Sequence, residues 1–310
     1  MPDLDPQMAA ILERMEAATA GQPDFTTLSP AAARAQMAAG DAYWNEDPPA
    51  LPRVEDVVVG GVAARLYDPG VASPAPAILY MHGGGWVICS LDSHDAYCRA
   101  LALSTRAVVV SLDYRLAPEH PFPAVLEDCL AAIRWLAGEG GALELDPARL
   151  AIAGDSAGAN LALATCLALR DSGEAPVHAG LLIYGIFGDD LSTPSQRAYG
   201  EGYVLTTAKM RWFFDHYVPD RGLRRDPLVS PLYADLTGLP PLYLNAAEFD
   251  PLCDDAVELA SRLAAAGQPH DFKLWPGVTH GFLRMSRDLD VARLAHEEAA
   301  AFVTKALGTA

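Results

Sequence analysis

The chain has 310 residues, 51% of them hydrophobic, and a formal net charge of −18 from 40 acidic and 22 basic side chains. That supplies a large core, in one big α/β domain or two smaller ones. The acidic balance argues against nucleic acid and anionic membranes as partners, because both need a basic footprint. Its five cysteines, Cys89, Cys98, Cys129, Cys166 and Cys253, are odd in number and form no CxxC pair, so neither a zinc site nor a disulfide framework is signalled. The start, MPDLDPQMAA, lacks the basic and apolar regions of a secretory signal. No run reaches the roughly 18 apolar residues of a membrane span. These features predict a cytoplasmic protein with free thiols and no stable membrane association.

Residues 1–50 are rich in Ala, Glu, Gln and Met, and PQMAAILERMEAA has helical spacing. The Pro-rich DPPALPR then closes an N-terminal helical segment, and residues 51–310 read as the main domain. VEDVVVG and VAARLYDP flank Gly60-Gly61 and predict a hairpin. Apolar runs follow at 76–82, 107–114, 150–156, 179–186, 241–250 and 271–277. Helical patterns lie between or after them, near 92–105, 122–139, 156–172, 252–267 and 288–307. Short, solidly apolar strands alternating with helices predict a parallel sheet covered on both faces. Residues 187–240 exceed a single crossover and contain LTTAKMRWFFDHYV. This interval predicts an insertion over the carboxyl ends of the strands, where ligands bind in open α/β sheets.

GDSAG, from Gly154 to Gly158, matches G-x-S-x-G. The pattern alone is weak, and an ordinary Ser cap at a tight turn competes with it. Its context is specific: RLAIA precedes it as a strand, and ANLALATCLALR follows as a helix. Ser156 would sit in a strained turn that tolerates only small neighbours two residues away, with the Ala157 N–H aimed at the reaction centre.

A nucleophilic serine needs a base, and the base an orienting acid. Asp250 ends the strand YLNAAEFD, and His280 follows the last strand in GVTHGF, in the order nucleophile, acid, base. Glu248, Asp254 and Asp255 compete with Asp250. Glu248 lies deeper in the strand, and the other two fall where acids serve a helix dipole. Gly277 and Gly281 flank His280 and allow a close approach. His94, His120, His178, His216, His270 and His296 fall in helices, helix approaches or strand starts.

YMHGGGW, residues 80–86, follows a strand. Acyl transfer needs amide donors for an oxyanion, and glycines let a backbone come within contact distance. A phosphate-binding nest is the competing reading, but no GxxxxGK[ST] or strand-linked GxGxxG supports it. His82 is expected to brace the loop.

HGGGW, DYRLAPEHPFPA (113–124), GDSAG, EFDPLCDD (248–255) and THGF (279–282) occur in order. This set resembles the bacterial hormone-sensitive-lipase-like carboxylesterases, in their GDSAG branch, from about residue 54 to the end. The resemblance implies an α/β-hydrolase fold: a mostly parallel eight-stranded sheet, helices on both faces and a helical cap. It implies Ser156, Asp250 and His280 as catalytic triad, and the Gly84, Gly85 and Ala157 amides as oxyanion donors. Residues 1–50 and an insertion at about 187–225 would form the cap. Trp86, Asp155, Tyr184, Phe187 and Phe214 are expected at the substrate, with Trp212 and Phe213 beside them. Ala159, Gly185 and Cys253 depart from common family residues, and Gly185 touches the expected pocket wall. The implied reaction cleaves short-to-medium acyl esters through an acyl-enzyme, with no metal or cofactor, and its rate should rise with pH as His280 loses its proton. The ester is a small molecule, and the family suggests a homodimer through the last strand or helix. A non-catalytic binding protein on the same scaffold is the alternative, as is an amidase or lactonase with the same triad.

Overall fold

The computed structural model describes residues 3–309. Two antiparallel strands, β1 (Arg53–Val59) and β2 (Val62–Asp68), open the sheet. Gly60 and Gly61 turn between them with φ of +58° and +84°, the left-handed conformations a two-residue hairpin needs. Six parallel strands follow: β3 (Ala75–Met81), β4 (Val108–Leu112), β5 (Leu145–Asp155), β6 (Val177–Ile183), β7 (Leu242–Phe249) and β8 (His270–Thr279). The spatial order is β1-β2-β4-β3-β5-β6-β7-β8, so the chain reverses direction of travel beside β3. In open α/β sheets a ligand crevice forms at such a switch point.

The helices are α1 (Pro6–Thr19), α2 (Pro30–Asp41), α3 (Asp95–Thr105), α4 (Ala124–Glu139), α5 (Ala157–Asp171), α6 (Pro194–Tyr199), α7 (Thr207–Tyr217), α8 (Cys253–Ala265) and α9 (Asp290–Leu307). All but the short α6 contribute to two cores, one on each face of the sheet. On one face Leu79, Met81, Val110 and Ile152 meet α4, α5 and α8. On the other, Ile78, Tyr80, Val109 and Ala153 meet α3, α9 and Met8 and Ile11 of α1. Successive strand residues point to opposite faces, so a strand buried on both sides must be apolar throughout. The second core also pairs small strand residues, Ala151, Ala153 and Ala179, with Ala292, Ala295 and Ala299 of α9. Small side chains on both elements let helix and sheet approach closely.

The sequence-predicted strands and helices are present with shifted ends. The largest shift is in β5, expected from residue 150. It begins at Leu145, because Ala75 of β3 pairs Leu145 before a register break reaches Leu150. Asp146, Pro147 and Arg149 lie in that extension, where an ion pair between Asp146 and Arg149 replaces apolar alternation. A hydrophobic pattern cannot reveal such a stretch.

Candidate active site

Ser156 sits between β5 and α5 with φ +54° and ψ −116°, a conformation that a residue with a Cβ adopts only under strain. Three contacts hold it there. Its N–H donates to Ile183 O at 2.8 Å, and its carbonyl accepts from Asn160 N at 3.2 Å and Ile186 N at 3.4 Å. The flanking glycines make the turn sterically possible. A methyl on Gly154 would lie 2.3 Å from the Gly158 carbonyl carbon, and one on Gly158 would lie 1.9 Å from Met81 O.

The acid and base come from the ends of β7 and β8. Asp250 is buried; its Oδ1 accepts from Leu252 N at 2.9 Å, which leaves Oδ2 for His280 Nδ1 at 2.7 Å. His280 Nε2 lies 3.0 Å from Ser156 Oγ. Tyr184 stands edge-on to the imidazole, ring centres 4.9 Å apart. The structure thus brings Ser156, His280 and Asp250 into one hydrogen-bonded line.

The glycine loop approaches from the end of β3. Gly83 N–H is occupied, donating to Asp155 Oδ1 at 2.8 Å. The Gly84 and Gly85 amides meet no protein acceptor among the described residues, and Ala157 N–H, first in α5, is a donor that helix geometry leaves free. Gly84 O accepts from Val87 N at 3.1 Å and Ile88 N at 2.9 Å, which closes the loop into one turn. Gly85 has φ +57°, and a methyl there would lie 2.2 Å from the Phe213 ring. His82 braces the loop as expected: its Nδ1–H donates to Gly83 O at 2.7 Å and its ring stacks on Tyr114. Burial, with His94 alongside, lowers the His82 pKa to about 3, so the ring is neutral.

Unfolded, His82 takes up its proton near the ordinary 6.5, whereas folded it waits until about 3. Between those values the unfolded chain binds more protons, so stability falls as pH drops. For one such group the loss from pH 7 to pH 5 is about 2 kcal/mol. In His82→Gln, urea unfolding at the two pH values should show a gap smaller by about that amount. An unchanged gap would show that His82 is not the group responsible.

Several residues expected at the substrate pack into the protein in this structure. Trp86, Phe187 and Phe214 are fully buried core residues; Trp86 stacks flat on Tyr217 at 4.3 Å. Tyr184 is equally buried, and what it meets at the site, edge-on, is the His280 ring. On α7 it is Phe213, one residue earlier, that faces the glycine loop, and Phe25 and Trp212 pack against it. Asp155 is buried, and its carboxylate is engaged within the protein. Its Oδ1 accepts from Tyr80 OH at 2.7 Å as well as from Gly83, and His94 Nε2 lies 3.1 Å away. Burial would raise the Asp155 pKa; His94, Arg284 and the Tyr80 hydroxyl overcome it and hold the carboxyl well below its ordinary range.

The competing acids also have structural work. Glu248 Oε2 accepts from Gly277 N at 2.8 Å, behind the His280 loop. Asp254 Oδ2 accepts from Ser195 N, and Asp255 Oδ2 from Phe187 N and Gly188 N, each at 2.8 Å. They tie down the start of the long interval between β6 and β7, beyond any service to the helix dipole. Gly277 leaves room for the N-terminal Asp5, whose N–H donates to Gly277 O at 2.9 Å, and not for the triad.

Comparison with known proteins bears on this geometry. The alpha/beta hydrolase fold family matches residues 78–284. The chain is 35% identical to carboxylesterase NlhH of Mycobacterium tuberculosis, across 99% of this chain and 97% of that protein. The chain belongs to the α/β-hydrolase fold family. Its branch is that of the hormone-sensitive-lipase-like carboxylesterases. The hydrolase is also 40% identical to an ethyl acetate hydrolase of Pseudomonas putida, over 74% of this chain and 73% of that protein. Among solved structures, an ester hydrolase from the metagenome of Lake Arreo, complexed with a derivative of bipyridine phosphonate, has a TM-score of 0.93 at 39% identity, covering 98% of this chain and 99% of that one. An esterase from Pyrobaculum calidifontis has a TM-score of 0.91 at 36% identity, over 97% and 98% of the two chains.

Two framework residues of the hydrolase carried no sequence signal. Arg34 of α2 donates to Val87 O at 2.7 Å and Ala117 O at 2.8 Å, gripping the far end of the glycine loop. Arg284 donates to Asp41 Oδ1 and Ser93 O, both at 2.7 Å. Each joins segments distant in sequence, and an isolated arginine does not announce its partner. Gly185 is filled by its own neighbour: a methyl there would lie 2.2 Å from the Phe187 ring. No helix among the described residues is long and apolar enough to cross a membrane.

Proposed function

We propose that the hydrolase is a serine carboxylesterase acting on short-to-medium acyl esters of small molecules. The observation that carries this reading is the line Asp250–His280–Ser156, at 2.7 and 3.0 Å, beside the Gly84, Gly85 and Ala157 amides. His280, oriented by Asp250, takes the Ser156 proton as Oγ attacks the ester carbonyl. The carbonyl oxygen becomes an oxyanion and receives hydrogen bonds from the three amides. Collapse expels the alcohol, which leaves with the proton from His280, and an acyl-enzyme remains. Water then attacks the acyl carbon with His280 again as base; the Ser156 Oγ–acyl bond breaks, Oγ takes the proton back from His280, and the carboxylic acid is released.

The N-terminal residues 1–50 and the insertion at about 187–225 act as the cap over this site. Phe25 and Phe213, one from each, meet beside Gly85. The relatives named carboxylesterase and ethyl acetate hydrolase support small esters as substrates.

The test is a p-nitrophenyl ester series of graded acyl length, run with and without a serine-reactive phosphonate. Acetate to octanoate esters should be cleaved, and the phosphonate should stop turnover while adding one adduct mass at Ser156. A chain that binds esters without turnover and takes no label would instead be a binding protein on this scaffold. Cleavage of amides or lactones in preference to esters would move the assignment within the same mechanism.

A further inference from the structure

We propose that Asp155 is the positioning residue that fixes the oxyanion loop against the nucleophile elbow. The inference rests on the serine-esterase reading above. Asp155 is the last residue of β5, directly before Ser156, and its carboxylate crosses to the first glycine of the loop. The Gly83 amide and the Tyr80 hydroxyl both donate to Oδ1, at 2.8 and 2.7 Å. A methyl on Gly83 would lie 2.5 Å from Oδ2, so the loop backbone rests on the carboxylate itself.

A carboxylate buried this deeply is expensive unless its bonds are well made. A strand-to-helix turn does not itself require an acid at this position. What the acid provides is a charge-assisted bond to a backbone amide, about twice as strong as a neutral one. That bond occupies Gly83 N–H and sets the orientation of the next peptide, whose N–H belongs to Gly84. Ser156 and the oxyanion donors thereby share one anchor, and their separation cannot drift.

The anchor is itself held. His94 Nε2 lies 3.1 Å from Oδ1, and its Nδ1 lies 2.8 Å from Ser93 Oγ. Arg284, four residues beyond His280, donates to Ser93 O and to Asp41 at the end of α2. Asp155 is thus surrounded by groups from β3, from the turn before α3 and, at one remove through Arg284, from the segment following the base.

A loop displaced by a fraction of an ångström loses its donors where charge develops, so the loss falls on turnover more than on substrate binding. The experiment compares wild type, Asp155→Ala and Asp155→Asn for kcat and KM on p-nitrophenyl acetate, for Ki of an alkyl trifluoromethyl ketone, and for Tm. The ketone adds Ser156 Oγ at its carbonyl carbon, passes the serine proton to His280 and leaves its oxygen in the oxyanion site. Asp155→Ala should lower kcat about 100-fold, keep KM within about threefold and raise Ki about as much as kcat falls. Asp155→Asn keeps an acceptor for Gly83 and should recover at least about tenfold of the loss. An Asp155→Ala protein with unchanged kcat and Ki overturns the proposal, as does an Asn variant no better than Ala. If Asp155→Ala does not fold, Gly83→Ala decides: kcat must fall and Ki rise with KM held, or the proposal fails. A wild type that neither cleaves the ester nor takes the phosphonate removes the esterase reading and this inference together. A wild type that does both, beside an unaffected Asp155→Ala, removes this inference alone.

Discussion

Ser156→Ala is expected to fold like the parent and to cleave p-nitrophenyl acetate at least about 10⁴-fold more slowly. The substitution removes only Oγ, whose partner is His280 Nε2 at 3.0 Å. Alanine keeps the Cβ, so the strain at φ +54° is neither added nor relieved. The backbone contacts that impose this conformation, to Ile183, Asn160 and Ile186, are untouched. The thermal midpoint should therefore stay within about 2 °C of the parent, while phosphonate labelling disappears. Turnover above roughly 1% of the parent would remove Ser156 as nucleophile.

The second large effect falls on the fold. Gly158→Ala should destabilise the protein by about 3 kcal/mol or more, because its methyl would lie 1.9 Å from Met81 O and 2.9 Å from His82 O. Those atoms are backbone, at the point where β3 leaves for the glycine loop, so no side chain can swing aside. Helix α5 and β3 must separate, and the donors at Gly84 and Gly85 move away from Ser156 with them. Activity should fall together with Tm, which should drop by several degrees. Gly138→Ala is the contrast. Gly138 lies in α4, exposed, and a methyl there would meet nothing within 4 Å, so this change should stabilise by about 0.5–1 kcal/mol. If both variants melt alike in differential scanning calorimetry, the close packing at the elbow is not what requires Gly158.

Much of this was legible in the residues. The apolar strand runs and the helices between them follow from periodicity, because a two-sided sheet leaves no polar alternation to confuse the reading. GDSAG, the Asp250 position and the His280 loop are local patterns whose order along the chain fits one reaction. The glycine loop is legible for the same reason: glycine is needed where backbone must approach backbone or substrate, and Gly85 against Phe213 is such a place.

Pocket and framework were not legible in this way. Trp86 and Phe214 are large and apolar, and sequence alone does not tell whether such a ring lines a cavity or fills a core; Trp86 stacked on Tyr217, with Phe214 packed against Trp86, places both in the core. On α7 the sequence offers Trp212, Phe213 and Phe214 together; successive residues differ by about 100° around a helix, and only packing singles out Phe213 as the one against the glycine loop. Fold class, candidate triad and glycine loop can all be read along the chain, because each is carried by local spacing and small-residue requirements. What Asp155, Arg34, Arg284 and Glu248 do emerges only once the chain is folded. Their roles are defined by partners far away in the chain, and an unpaired charge in a sequence does not say which buried amide or carbonyl it will meet.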